Sequence, residues 1–114
     1  MRAISLMYGT TKAANEAMAR TYANAFGGNL PEFEFMSGTT ANSLLVGLTE
    51  TAWTKDVPKE VMDDFKAYWH PRQSIPRMAQ PQDIADVVGL LCSREARWIT
   101  GSKVCADGGA VKIL

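Results

Sequence analysis

The sequence predicts an α/β fold with two parallel strands and about three helices, and three observations carry that prediction. Residues 8–26 are rich in helix formers and place Ala14, Ala17, Met18, Thr21, Tyr22 and Ala25 at three- and four-residue spacing. The run TTANSLLVGL mixes β-branched and apolar residues without alternation, the pattern of a strand covered on both faces in a parallel sheet. A second amphipathic helix opens at Pro81 and leads, through WITG, into the short strand-like run SKVCA.

The first helix is predicted to run from Tyr8 to about Phe26, stopped by Gly27-Gly28, and its apolar stripe is largely alanine. Short side chains there let another helix come close, and that helix can belong to another chain. The first strand is placed at about Thr40 to Val46. The next segment holds Trp53, Phe65, Tyr68 and Trp69 among charges, with Pro58 at the first turn of a short amphipathic helix near 58–69, and reads as a mobile excursion able to cover a ligand. In the helix that begins at Pro81, Ile84, Val87, Val88, Leu91 and Cys92 share one face, and Asp83 and Asp86 sit near the positive amino end. It is expected to end near Ser93, with Trp98 anchoring it to the sheet. DGGAVKIL is a glycine-marked exit in which Asp107 fixes a turn.

The 114 residues are 46% hydrophobic and 21% charged, so one domain, spanning 1–114, is expected. Twelve basic and twelve acidic residues balance without bunching, which argues against a nucleic-acid partner or a basic membrane-surface helix. No apolar run approaches the ~20 residues of a membrane span, and MRAISLM is too short and interrupted for a signal-peptide core. A soluble, cytoplasmic protein acting on a small molecule is the expectation. Cys92 and Cys105 read as two buried reduced thiols, and no metal-ligand spacing is present.

Order now matters more than any single motif: a helix beginning Tyr8-x-x-x-Lys12, a buried strand, Gly47-x-x-x-Thr51, an aromatic segment, the PQDIADVV helix, WITG, a strand, and DGG. This series resembles the carboxy-terminal half of a short-chain dehydrogenase/reductase over nearly the whole chain. The resemblance implies a truncated Rossmann-like fold. It implies that Tyr8 is the general acid that gives its proton to a carbonyl oxygen or takes one from an alcohol. It also implies that Lys12 activates Tyr8 and holds the nicotinamide ribose, and that Thr51 helps seat the nicotinamide. The spacing agrees with that chemistry, because a phenol is a poor base at neutral pH and an ammonium one turn away favours its phenolate form. Val46 stands where the family usually has the proline of Pro-Gly-x-x-x-Thr.

The resemblance also implies an amino-terminal half with a glycine-rich phosphate turn and a strand bearing a catalytic serine, and neither occurs in these residues. FGG and DGG lack the Gly-x-Gly-x-x-Gly spacing that follows a strand and opens a helix. Either the chain is a piece of a full reductase, or it is a short protein that kept the substrate side of the fold. Two strands make a marginal sheet with an open edge, so the expectation is a homo-oligomer, at least a dimer, in which another copy completes the sheet.

The first functional reading is a non-redox acid–base enzyme, an isomerase, dehydratase or cyclase acting on an oxygenated carbonyl or polyketide-like compound. Tyr8 and Lys12 move its proton, and Trp53, Phe65, Tyr68 and Trp69 wall its pocket. No cofactor is expected for the isolated chain. The second reading is a fragment or complementing subunit of an NAD(P)H-dependent oxidoreductase, in which Lys12 and Thr51 touch the cofactor. The third is a non-catalytic binding or assembly module. His70 reads as a surface or pocket-rim residue and Asn42 as a structural hydrogen-bonder, while Ser37 and Ser43 are only candidates for the absent serine, with nothing in the sequence placing either beside Tyr8. Asn15 and Glu16 point away from the Tyr8–Lys12 edge by helix geometry.

Overall fold

The computed structural model describes residues 3–112, with side chains from Leu6 onward. The opening Met-Arg and the last two residues of the DGGAVKIL exit fall outside the described residues. The elements in order are α1 (Ala3–Asn24), β1 (Ser43–Val46), α2 (Ala52–Asp56), α3 (Lys59–Trp69), α4 (Pro81–Leu91) and β2 (Lys103–Ala106). β1 pairs with β2, and the two advance together: the Ser43 N–H donates to the Ser102 carbonyl and the Gly47 N–H to the Ala106 carbonyl, the pattern of parallel strands. The predicted α/β architecture with two parallel strands is the observed one. The chain packs as two compact units, one holding the described residues up to Ser43 with Ser93–Val104, the other Leu44–Cys92 with the described residues from Cys105.

In the first unit α1 starts earlier than the predicted Tyr8, because Ala3, Ile4, Ser5, Leu6 and Met7 continue the helix backward. It unwinds over Ala25–Asn29, where Gly28 takes φ 110°, a torsion that calls for glycine. The covered face of α1 is Glu16, Ala19 and Ala23, continued just past its end by Ala25 and Phe26, so of the predicted stripe Ala25 is covered whereas Ala14, Ala17, Met18, Thr21 and Tyr22 lie exposed. Glu16 therefore belongs to the packed face, where its carboxylate meets the Lys103 ammonium at 3.0 Å. Phe26 stacks on Tyr22 and meets the edge of Phe33, each with ring centroids 5.4 Å apart.

β1 is shorter than the predicted Thr40–Val46 because side chains take over the ladder before Ser43. The Thr100 hydroxyl accepts from the Ala41 N–H, the Asn42 amide donates to the Ile99 carbonyl, and the Asn42 carbonyl oxygen accepts from the Ser102 N–H. Trp98 does not anchor a helix. It is 95% exposed, and the residue that inserts instead is Ala96, 3% exposed in the turn Arg94–Ala96 just before it.

In the second unit the aromatic segment is helical. α2 was not predicted as a separate helix; its start is tied by the Thr54 hydroxyl, which accepts from the Thr51 N–H at 2.8 Å. Pro58 precedes α3 as its cap residue rather than occupying its first turn. α3 buries Met62, and α4 turns Ile84, Val87 and Leu91 inward while Val88 and Cys92 face solvent, so Cys92 is not the buried thiol expected; Cys105 is half-buried. Ahead of α4, the Arg77 guanidinium grips the Asp83 carboxylate with two hydrogen bonds of 2.7 and 2.9 Å, and the Gln80 N–H adds a third at 2.7 Å.

First the Arg77 contact and then the Gln80 N–H hold the Asp83 carboxyl down to about 2 from the ordinary value of 3.8. A carboxyl whose value is lower when folded than unfolded contributes stability above the unfolded value and loses it as pH falls toward the folded one. The urea midpoint should hold from neutral pH to about 4 and fall between about 4 and 2. Asp83→Asn should flatten part of that fall and no more, because Lys59 also lowers the Asp63 carboxyl. An unchanged acid limb in the variant would refute the assignment to Asp83.

Candidate functional site

Tyr8 and Lys12 lie on successive turns of α1, and the Lys12 ammonium sits 5.2 Å from the centroid of the Tyr8 ring, over its face. The two threonines between them spend their hydroxyls on the helix itself: Thr10 donates to the Leu6 carbonyl and Thr11 to the Tyr8 carbonyl. Tyr8 is 64% exposed and Lys12 is exposed as well, so the phenol and ammonium are the polar heads this turn presents outward.

The second unit holds a cavity of about 260 Å³ near the end of β1. Trp53 from α2 and Phe65 and Trp69 from α3 wall it, joined by Leu48, Gln73 and Val111. Phe65 and Trp69 reach the same cavity because they are four residues apart on one helix face. Tyr68 points elsewhere, into a shallow apolar depression beside Val61 and Asp64, and the Arg72 guanidinium stacks on its ring at 3.8 Å. Thr51 lies exposed at the start of α2 and is not among the residues lining the aromatic cavity.

Asp107 is buried at 5% exposure, and its carboxylate holds the glycine turn by accepting from the Gly109 and Val111 N–H groups at 3.0 and 2.8 Å. That is the turn-fixing role read from DGG. His70 opens the turn His70–Arg72 and lines a polar cleft with Glu50, Lys66 and Arg77, its Nε2 buried without a partner. Gln73 was missed by the sequence reading. Only a polar amide just after an aromatic-rich helix marked it, and its importance depends on a contact with Asp107 far along the chain. Among the described residues no three His, Cys, Asp or Glu side chains cluster to hold a metal, and no helix is long and apolar enough to cross a membrane.

A family model described as enoyl-(acyl carrier protein) reductase matches residues 2–111. The chain is 33% identical over 114 residues to the short-chain dehydrogenase/reductase FrzI of Cladobotryum sp, covering 94% of this chain and 40% of that protein. It is 33% identical over 113 residues to the short chain dehydrogenase asqE of Emericella nidulans, covering 96% and 38%. Among solved structures it resembles the angucycline C-6 ketoreductase LanV with bound NADP, with a TM-score of 0.73, 31% identity, and coverage of 92% of this chain and 36% of that one. The 4-hydroxyisoleucine dehydrogenase complexed with NADH gives a TM-score of 0.70 at 27% identity, covering 91% and 39%. The chain thus spans about two fifths of the length of the curated relatives it matches. With the motif order, the parallel pair of strands and these matches together, the chain belongs to the short-chain dehydrogenase/reductase family, whose carboxy-terminal part it resembles.

Proposed function

We propose that this chain supplies the proton-transfer pair and an aromatic substrate wall for interconverting a carbonyl and an alcohol, with a nicotinamide dinucleotide held chiefly by an amino-terminal half of the family fold. The observation that carries this reading is the outward-facing Tyr8–Lys12 pair on successive turns of α1. Tyr8 holds the proton that passes to the carbonyl oxygen, or receives it from the alcohol. Lys12 places a positive charge beside that oxygen and offers N–H donors, which suit a ribose hydroxyl. The exposed Thr51 hydroxyl is a second group that suits the cofactor's polar atoms. A bound nicotinamide would supply or accept the hydride. Trp53, Phe65 and Trp69 take up apolar substrate surface.

A second reading is non-redox acid–base chemistry by the same pair: an isomerase, dehydratase or cyclase acting on an oxygenated carbonyl or polyketide-like compound. It is supported by the same pair, since proton transfer is the step that Tyr8 and Lys12 can perform with their own side chains. A homo-oligomer belongs to both readings, supported by Met18, Tyr22 and Phe35, exposed at 47%, 44% and 82%.

The test is a titration of the purified full chain, its mass in solution verified, with NADPH and NADH, following nicotinamide fluorescence. The chain alone should be at least a dimer and bind neither stoichiometrically, and adding the amino-terminal half of a family member should produce binding. Stoichiometric binding by the chain alone would overturn the division of labour. A folded mixture of both halves that still binds nothing would remove the redox reading and leave the acid–base one.

A further inference from the structure

α1 carries three charged side chains, Lys12, Glu16 and Arg20, at four-residue spacing behind Tyr8. Four residues advance a helix by about 400°, so each lies only ~40° around the axis from the one before. Glu16, expected to point away from the Tyr8–Lys12 edge, therefore stands beside it. A carboxylate so placed is within reach of the cations four residues before and after it. It pairs with neither. Glu16 Oε1 crosses instead to Lys103 Nζ at 3.0 Å, where β2 begins, with side chains only 29% and 37% exposed. Water screens such a pair less than one between fully exposed groups. Among the described residues Lys12 has no ion-pair partner, and its ammonium lies over the Tyr8 ring.

Left to itself, the Glu16 carboxylate would work against Lys12 in two ways. It would draw the ammonium away from the ring, and its charge would oppose the positive charge that Lys12 brings to Tyr8. The geometry points to Lys103 as a positioning residue for the Tyr8–Lys12 pair: by holding the Glu16 carboxylate at the start of β2, it leaves the Lys12 ammonium over the Tyr8 ring. Lys103 acts only through Glu16. This deepens the proposed reading, and rests on it for the claim that the placement of Lys12 serves catalysis. An ion pair that merely fastened α1 to β2 would behave differently, since losing both partners would then be no better than losing one.

The test uses the full chain with ¹³C-labelled lysine, the Lys12 side-chain signal being assigned by its loss in Lys12→Met. Protons held over an aromatic face are shifted upfield, and Tyr8→Leu, which removes the ring, gives the reference position. Arg20 is the other cation a freed Glu16 can reach, so every protein compared carries Arg20→Gln. An ion pair at four-residue spacing shifts side-chain populations about twofold, so in Lys103→Met the ring shift of Lys12 should fall by about a third to a half as Glu16 turns to it. Lys103→Arg should keep the shift, and Glu16→Gln combined with Lys103→Met should restore it in full. Turnover should follow the same order. Should Lys103→Met not fold, Lys103→Gln takes its place with the same expectations.

A Lys12 signal that ignores the loss of Lys103 would overturn the inference. So would one disturbed equally in Lys103→Met and in the double variant, which would leave Lys103 a structural tie. Failure of the catalytic reading looks different. If Tyr8→Phe leaves turnover intact while the ring shift still depends on Lys103, the positioning of Lys12 stands and the proton-transfer assignment falls. If turnover needs Tyr8 but the Lys12 signal is indifferent to Lys103, the reverse holds.

Discussion

Tyr8→Phe should lower turnover by roughly 10²–10⁴-fold, the usual worth of a positioned general acid or base, with the folded structure unchanged. The change deletes one oxygen from a side chain that is 64% exposed, so no packed contact depends on it. It also keeps the aromatic face over which the Lys12 ammonium lies at 5.2 Å, so the lysine should stay where it is. Helix content and the urea midpoint should therefore match wild type, and the loss should appear in kcat with little change in KM, as for a group that acts in the transition state. The measurement is steady-state turnover of the carbonyl compound that wild type converts, in the presence of the amino-terminal half if the reconstituted pair proves to be the active form. Lys12→Met should fall in the same direction, because it removes the charge and the N–H donors from beside the reacting oxygen while keeping most of the side chain's length. A Tyr8→Phe protein turning over at the wild-type rate would end the catalytic assignment.

What the sequence made legible follows from the range of the interactions involved. α4 was readable because Pro81, the spacing of Ile84, Val87 and Leu91, and Asp83 at its start all agree locally. α1 was readable as a helix but not for its covered face. A stripe of Ala14, Ala17, Met18 and Tyr22 looks like a buried face, yet the contacts of Glu16 with Lys103 and the burial of Ala23 are made with residues far along the chain. Trp98 and Cys92 illustrate the same limit. Hydrophobic character states what a side chain would gain by burial, and only tertiary structure decides whether a neighbour arrives to provide it.

The aromatic wall was partly legible for a comparable reason. The four-residue spacing of Phe65 and Trp69 puts them on one face of α3, while Tyr68, one residue from Trp69, turns to Arg72. Gln73 could not be read at all, since its orientation is set by the carbonyl of Asp107 rather than by its sequence neighbours.

Gly47→Ala should be the most damaging single-methyl addition among these glycines, destabilising by about 2 kcal/mol or more in urea denaturation. Gly47 is not a glycine for conformational reasons, because its φ is outside the positive region that Gly28 and four others occupy. Space is the reason. A Cβ there would lie 2.7 Å from Asp107 Cα, 3.0 Å from its Cβ and 3.2 Å from its carbonyl carbon. None of these atoms can swing away like the end of a flexible side chain. Asp107 is buried and pinned by its hydrogen bonds to Gly109 and Val111, and the Gly47 N–H is itself committed to the Ala106 carbonyl at 3.0 Å. Relief therefore requires β1 and the Asp107 turn to separate, which costs more than the ~0.4–1 kcal/mol that alanine contributes by restricting the unfolded chain.

Gly89→Ala is the matched control. Gly89 lies inside α4 with nothing within 4 Å of the added methyl, so the same chemical change should stabilise by up to about 1 kcal/mol. Opposite signs for the two variants are the expected result, and a Gly47→Ala midpoint equal to wild type would mean that the close approach of β1 to Asp107 is not present in solution.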